Sequence, residues 1–345
     1  MTVRKLPWDL IAVGLLAMLP LIPGLVTGID RALKVPIGSE LTTLFIMAIL
    51  ALGLNVVVGY TGLLHLGIGA FFGIGAYTTG ILMVPSYPFQ VSLPVAIIVA
   101  TLTAAAAGVL LGSPTLRLRG DYLALVTLGF GEVLKFAIKN LEEITNGTKG
   151  LNPIPQPKLP GLDADWSADY RYYYFLSLFV LFVVLIVLRN IENSRMGRAW
   201  VALREDELAA TCMGLDTTKL KLAAFALGAG LAGLAGCLYV VKLGNTADPE
   251  AYGFNRSIIA LCCLILGGLG NRTGVLLGVF LVLGFDNILA PVADKYMQSL
   301  RPTGAEVKDY TTFSFWRLMV FGLALILAMR FRPAGLLPAK RSPTA

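Results

Sequence analysis

Residues able to move protons, hold metals or attack carbonyls are sparse in this sequence. It has one histidine, His65, and four cysteines, Cys212, Cys237, Cys262 and Cys263. A zinc hydrolase of the HExxH kind needs two histidines one helical turn apart. No CxxC spacing occurs, so neither a metal site nor a disulfide framework is expected. No pair of carboxylates at helical spacing lies within an apolar run, so nothing is set to hold a metal-bound pyrophosphate. Gly228-Ala229-Gly230-Leu231-Ala232-Gly233 spells GxGxxG. It sits inside an apolar helix, not after a strand, and a dinucleotide site is excluded. No GxxxxGK[ST] exists, so any nucleotide hydrolysis belongs to another chain. The chain is expected to be no enzyme and to carry no cofactor of its own. The chemistry left is polarity inside apolar surroundings: Asn55, Thr127, Glu132 with Lys135, and Asp286 with Asn287. Ionisable groups within a membrane span are functional candidates. Sparse polarity among glycine-rich helices makes Asn55, Thr127 and Glu132 candidates for lining a translocation pathway beside the second, third and fifth apolar segments. Glu132 and Lys135, three apart on one helix face, also suit a simple ion pair. Asp286 reads as an interfacial residue.

The elements that position these residues require a bilayer. Of 345 residues 56% are hydrophobic and only 14% charged, whereas soluble domains carry roughly 25% charged residues. Ten apolar segments stand out: 8–27, 41–59, 63–84, 91–112, 121–139, 171–189, 219–242, 256–270, 274–291 and 313–331. In lipid only helices and closed barrels satisfy the backbone. These runs are continuous, not short and alternating, which excludes a barrel. The expected fold class is all-α, a polytopic transmembrane helical bundle of about ten spans in one domain over 1–345. Segments 63–84, 121–139 and 256–270 contain polar or glycine-rich stretches and read as broken or re-entrant. The first segment follows Arg4 and Lys5 but lacks a clean cleavage site, so it reads as an uncleaved span. Gly69 with Gly73 and Gly274 with Gly278 form GxxxG, and Gly228, Ala232 and Gly236 form a small-residue face. Such residues let helix backbones approach closely in lipid. The run Gly267-Gly268-Leu269-Gly270-Asn271 marks a helix end or turn.

Basic residues set the orientation. Arg4, Lys5, Arg117, Arg119, Arg189, Arg195, Arg198, Arg204, Arg272, Arg330 and Arg332 fall on one side when the segments alternate. The positive-inside rule makes that side the cytoplasm, with both termini there. The net charge of +7 then reflects topology and anionic headgroups, not nucleic acid. Residues 140–170 form an extracytoplasmic loop, with turns at Asn146-Gly147 and at Pro153, Pro155, Pro157 and Pro160. The Asn146-Gly147-Thr148 sequon reads as part of that turn. Residues 190–218 form the most polar cytoplasmic segment, with one short helix over 196–215. Gly214 is expected to cap that helix, and Asp216 or Thr217 to cap the next span. Such a helix could rest on headgroups or dock a cytoplasmic partner.

Several stretches resemble one family. They are 52–83 (Leu-Gly-Leu-Asn-Val-Val-Val-Gly-Tyr-Thr-Gly-Leu-Leu, onward), 116–132 (Leu-Arg-Leu-Arg-Gly-Asp-Tyr-Leu-Ala-Leu-Val-Thr-Leu-Gly-Phe-Gly-Glu), 145–151, 194–222, 265–274 and the tail Phe331-Arg332-Pro333-Ala334-Gly335-Leu336-Leu337. In order and spacing they are similar to the LivM-type permease of branched-chain amino acid ABC importers. Where many relatives read Ser-Leu-Gly-His, this chain reads His65-Leu66-Gly67-Ile68, with the histidine three positions displaced. The resemblance implies a membrane-spanning subunit of the bacterial inner membrane. It also implies a second related permease as heterodimer partner, two cytoplasmic ATPase subunits that use the ATP, and an extracytoplasmic substrate-binding protein. By that match 190–218 is the coupling segment, with Gly197, Arg198, Arg204, Glu205, Glu207, Ala209, Ala210 and Gly214 as coupling residues. Importers of urea and short amides have similar permeases. An ion-coupled secondary transporter is the alternative of another class, and the arginine-rich coupling segment speaks against it.

Overall fold

The computed structural model describes residues 35–115, 121–157, 166, 169–246 and 248–299, with isolated positions between 14 and 20 and between 316 and 337. The expected segments 8–27 and 313–331 therefore lie outside the continuously described residues, as do Arg117, Arg119 and Lys158. The other expected segments each contain a helix. In chain order, α1 is Ile37–Leu54, running on as a π-helical stretch Asn55–Tyr60, and α2 is Ile68–Met83. Then come α3 (Leu93–Thr115), α4 (Asp121–Asn140), the single turn α5 (Glu142–Thr145) and α6 (Arg171–Glu192). Two short helices come next, α7 (Arg195–Glu205) and α8 (Glu207–Cys212), before α9 (Thr217–Leu243). A turn at Pro249–Tyr252 leads into α10 (Phe254–Gly267). Last are α11 (Arg272–Gly284), a second π-helical stretch Phe285–Leu289, and α12 (Ala290–Ser299).

Among the described residues six helices are long and apolar enough to cross a membrane: Ile37–Tyr60, Leu93–Thr115, Arg171–Glu192, Thr217–Leu243, Pro249–Gly267 and Arg272–Lys295. Helix α2 is apolar but shorter. Helix α4 has 20 residues but includes Asp121, Glu132, Lys135 and Lys139, too much charge for lipid on every side. Two of the three stretches read as broken are interrupted, and the third, 121–139, is the continuous helix α4. Residues 62–67 join α1 to α2 without helix, and α10 stops at Gly267, where Gly268 and Gly270 take positive φ of 123° and 80°.

Helix α9 packs against α1, α2 and α3. Its glycines make this possible. A Cβ on Gly236 would sit 2.0 Å from the Phe72 carbonyl oxygen of α2, and one on Gly233 would sit 2.3 Å from the Ala104 Cβ of α3. One on Gly228 would lie 2.9 Å from the Gly53 carbonyl oxygen of α1. The single face expected from Gly228, Ala232 and Gly236 is thus divided among different neighbours. Eight residues at 3.6 per turn leave Gly228 and Gly236 about 80° apart round the axis. The Gly274/Gly278 pair seams a hairpin: their counterparts on α10 are Gly267 and Cys263, whose carbonyl oxygens lie 2.6 and 1.9 Å from the added Cβ atoms. The tail closes this hairpin. Leu336 and Leu337 amides donate to the Leu266 and Gly267 carbonyls, both at 3.0 Å, and Asn271 Nδ2 donates to the Leu337 carbonyl at 3.1 Å.

Two substitutions separate packing glycines from permissive ones. Gly236→Val forces α2 and α9 apart and should cost about 3 kcal/mol, read as a large fall in thermal midpoint of the purified protein. Gly284, with nothing within 4 Å of an added Cβ, should accept alanine at no cost, or with a gain of about 0.5 kcal/mol. Equal midpoints for the two variants would contradict this account of the packing.

Candidate functional site

The α7–α8 segment is built from local signals. The Ser194 hydroxyl accepts from the Met196 and Gly197 amides at 3.2 and 3.4 Å, starting α7. A Cβ on Gly197 would come 2.5 Å from the Ile191 and Glu192 carbonyl oxygens, so only glycine permits this tight turn after α6. Asp206 interrupts the single helix expected over 196–215. It adopts extended backbone (φ −156°, ψ 113°), and its carboxylate accepts from the Leu208 and Ala209 amides at 2.8 and 3.0 Å. An aspartate that caps a new helix cannot also continue the old one. Gly214 (φ 81°) closes α8, with the Leu215 amide on the Ala210 carbonyl at 3.1 Å, and Asp216 caps α9 through the Lys219 amide at 3.1 Å. The Lys219 amide and ammonium hold the Asp216 carboxyl below its usual range. That cap is intact above the unfolded carboxylate range and is lost as pH falls through the folded value.

Gly197, Trp200 and Leu203 form the buried face of α7. The fully buried Trp200 donates its Nε1–H to the Leu220 carbonyl at 2.9 Å, tying α7 to α9. Helix α8 is tied by Glu207, whose carboxylate meets the buried Lys221 ammonium at 2.6 Å. The candidate coupling residues therefore divide. Arg198, Glu205 and Ala209 lie on the open face. Gly197 and Gly214 shape the backbone. Arg204 reaches back to donate to the Gly59 carbonyl at 2.5 Å, Glu207 is held on Lys221, and Ala210 is only 3% exposed. What the open face does present is Val201, Leu208 (68% exposed) and Met213 (82% exposed). Nothing local in the sequence distinguishes these apolar residues from buried ones. Only the seat of α8 against α9 does.

The candidate pathway residues also divide. Asn55 is fully buried, its Oδ1 accepting from the Gly270 amide at 2.9 Å. Thr127 is fully buried, its hydroxyl accepting from the Leu66 amide at 3.1 Å and donating to the Ala124 carbonyl at 3.0 Å. Glu132 is half-buried on the flank of α4. It pairs with Lys135 at 2.7 Å, and Lys135 also holds Glu250 at 3.2 Å. The other Glu132 oxygen faces the Phe254 amide at the start of α10, at 3.4 Å. The sequence placed Glu132 and Lys135 together. It could not supply Glu250, 115 residues from Lys135, whose side chain is 59% exposed.

Residues 37–329 match the family described as "Branched-chain amino acid transport system / permease component". The "High-affinity branched-chain amino acid transport system permease protein LivM" of Escherichia coli is 38% identical over 323 residues, 88% of this chain and 70% of that protein. The "Probable branched-chain amino acid transport permease protein LivM" of Methanocaldococcus jannaschii is 28% identical over 286 residues, 81% of this chain and 79% of its own length. The "Autoinducer 2 import system permease protein LsrC" of an Enterobacter strain is 27% identical over 248 residues, 71% of this chain and 68% of that protein. No solved structure matches.

Reversing the charge of Glu207 tests the α8–α9 tie. Glu207→Arg sets a cation against the buried Lys221. The cost should be on the order of 2 kcal/mol, below that of a fully buried pair because Glu207 is part exposed. Glu205→Arg, on the open face, should change stability by under about 0.5 kcal/mol. Thermal unfolding of the two variants side by side gives the comparison.

Proposed function

The chain belongs to the family of branched-chain amino acid transport permease components, and from that premise we propose that it is the membrane-spanning subunit of an ATP-driven importer. It translocates branched-chain amino acids handed over by an extracytoplasmic binding protein, in a heterodimer with a second related permease. Two cytoplasmic ATPase subunits supply the work. The chain sits in the bacterial inner membrane with both termini in the cytoplasm. The greater identity to the branched-chain relatives favours that substrate class over the one named for the LsrC relative.

The observation that carries this reading is the α7–α8 pair. Nucleotide-driven motion of a partner can reach the spans only through a stiff element held at both ends. Helix α7 joins α6 by a turn that only glycine permits, and α8 is pinned to α9 by Lys221. Its open face bears Leu208 and Met213 among charged residues, an apolar knob with a polar rim suited to a protein contact. Headgroups alone would not ask for such rigidity.

The second support is the charged flank of α4. Glu132, Lys135 and Glu250 are costly against hydrocarbon. A water-filled passage, or the second permease across it, removes that cost. We read this flank as pathway lining, with Asn55 and Thr127 shaping the helices behind it.

Reconstitution with both permeases, the ATPases and the binding protein should give ATP-dependent uptake of leucine, isoleucine and valine. Uptake of urea or acetamide without leucine would overturn the substrate reading. Leu208→Asp with Met213→Asp should abolish capture of the ATPases while thermal stability stays within about 0.5 kcal/mol of wild type. If assembly persists in the double variant, this face is not the docking surface. Single cysteines at Lys158 and Arg198 should label from opposite sides of the membrane. Labelling from one side only refutes the orientation.

A further inference from the structure

Arg204, a residue expected to meet a partner, is exposed, yet it turns its guanidinium back onto the end of α1. Its Nη1 donates to the carbonyl of Gly59, in the π-helical stretch that ends α1. A helix leaves its last carbonyls without partners, and a cation there is favourable. Next to this contact the Tyr60 ring stacks on Trp200 of α7, centroids 6.3 Å apart and planes within 12°. The Tyr60 hydroxyl donates to Glu192 at the end of α6, and Glu192 pairs with Arg272 at 2.7 Å. Gly62, with φ of 72°, lies against the Arg204 stem. Helix α7 therefore grips the end of α1 by two side chains, Trp200 and Arg204.

The gripped segment departs from regular helix and is poorly satisfied. A π-helical turn holds one residue more than an α turn. Restoring α spacing would rotate the chain beyond the stretch by about 100° relative to α1. Asn55 opens the stretch, and its buried Nδ2 lies toward the Tyr60 hydroxyl without reaching full hydrogen-bond geometry. His65 lies just beyond it, fully buried between Phe71 and Phe225, with neither ring nitrogen hydrogen-bonded. An unmet buried donor or acceptor costs roughly 1–3 kcal/mol. Asn55 and His65 both lie in 55–67, between α1 and α2. Asn55 also carries the connection onward, because its Oδ1 holds the Gly270 amide at the α10–α11 turn.

We infer that the 55–67 link is the two-state element moved by the coupling helices, with Arg204 and Trp200 as positioning residues that grip it. The inference rests on the importer reading above. When a partner shifts α7, the Gly59 carbonyl and the Tyr60 ring shift with it. The π-helical turn then repacks, carrying α1 and the Gly270 turn together.

Arg204→Met and Arg204→Lys in the full reconstituted complex test this. Arg204→Met should assemble with the ATPases and hydrolyse ATP. Leucine carried per ATP should fall about tenfold, a coupling loss of ordinary size. Arg204→Lys, which still offers a cation to the carbonyl, should recover much of that ratio. Hydrogen exchange at amides 56–64 should change with ATP and vanadate in the wild type and not in Arg204→Met. A Met variant with the wild-type ratio overturns the inference. So does a Met variant that no longer binds the ATPases, since Arg204 would then be a docking residue. If the wild-type complex assembles but carries no leucine, the substrate reading fails, and the exchange comparison alone decides. Equal exchange in the two proteins would then overturn the link.

Discussion

Lipid gives two apolar helices no solvent-driven reason to associate, so α9 must hold its neighbours by close backbone approach. Gly228, Gly233 and Gly236 each remove the one atom that would keep a neighbour away. With α1, α2 and α3 so close, dispersion contacts along their lengths accumulate, although each atom pair contributes little. The same constraint explains why the apolar content is high without large side chains dominating the centre of α9. Space there is occupied by backbone. A sheath of three helices also shields α9, so most of its middle is buried despite lying in a membrane protein.

That packed centre is not built of regular helix throughout. Irregular backbone occurs within it and around it. Helix α1 changes to π spacing at Asn55, α10 ends early at Gly267, and α11 changes spacing at Phe285. Some of the polar groups reach across to these irregular points or to helix ends. Asn55 meets Gly270, Glu132 faces the start of α10, and Arg204 closes the end of α1. Irregular backbone inside a membrane needs partners from other segments, and these side chains provide them.

The range of each interaction decides how much of it was readable in the sequence. The apolar segments were legible because a bilayer imposes length and continuity residue by residue. Gly214 and Asp216 were legible as caps because their signals act within one turn. The interruption at Asp206 was not, since an aspartate between two glutamates reads as one more solvated charge. The direction of Arg204 was not, because Gly59 lies 145 residues away. Ala210 looked like surface in a charged stretch, but its burial depends on how α8 leans on α9. Thr127 and Asn55 were singled out for polarity inside apolar runs. The structure gives both of them backbone partners from distant segments, which polarity alone could not distinguish from a pathway. The family resemblance supplied the kind of machine, not the arrangement of these contacts.

The docked tail has a consequence for biogenesis. Leu336 and Leu337 bond the carbonyls that α10 leaves open at Leu266 and Gly267. A ribosome releases the chain from its N-terminus, and segments fold in that order. Helices α10 and α11 are therefore made well before the residues that complete their turn. Until Leu336 and Leu337 emerge, the Leu266 and Gly267 carbonyls lack these two amide partners. Docking of Leu336 and Leu337 is thus a local addition to a hairpin made before them. Without Leu336 and Leu337 in place, the α10–α11 turn keeps an open seam at those two carbonyls.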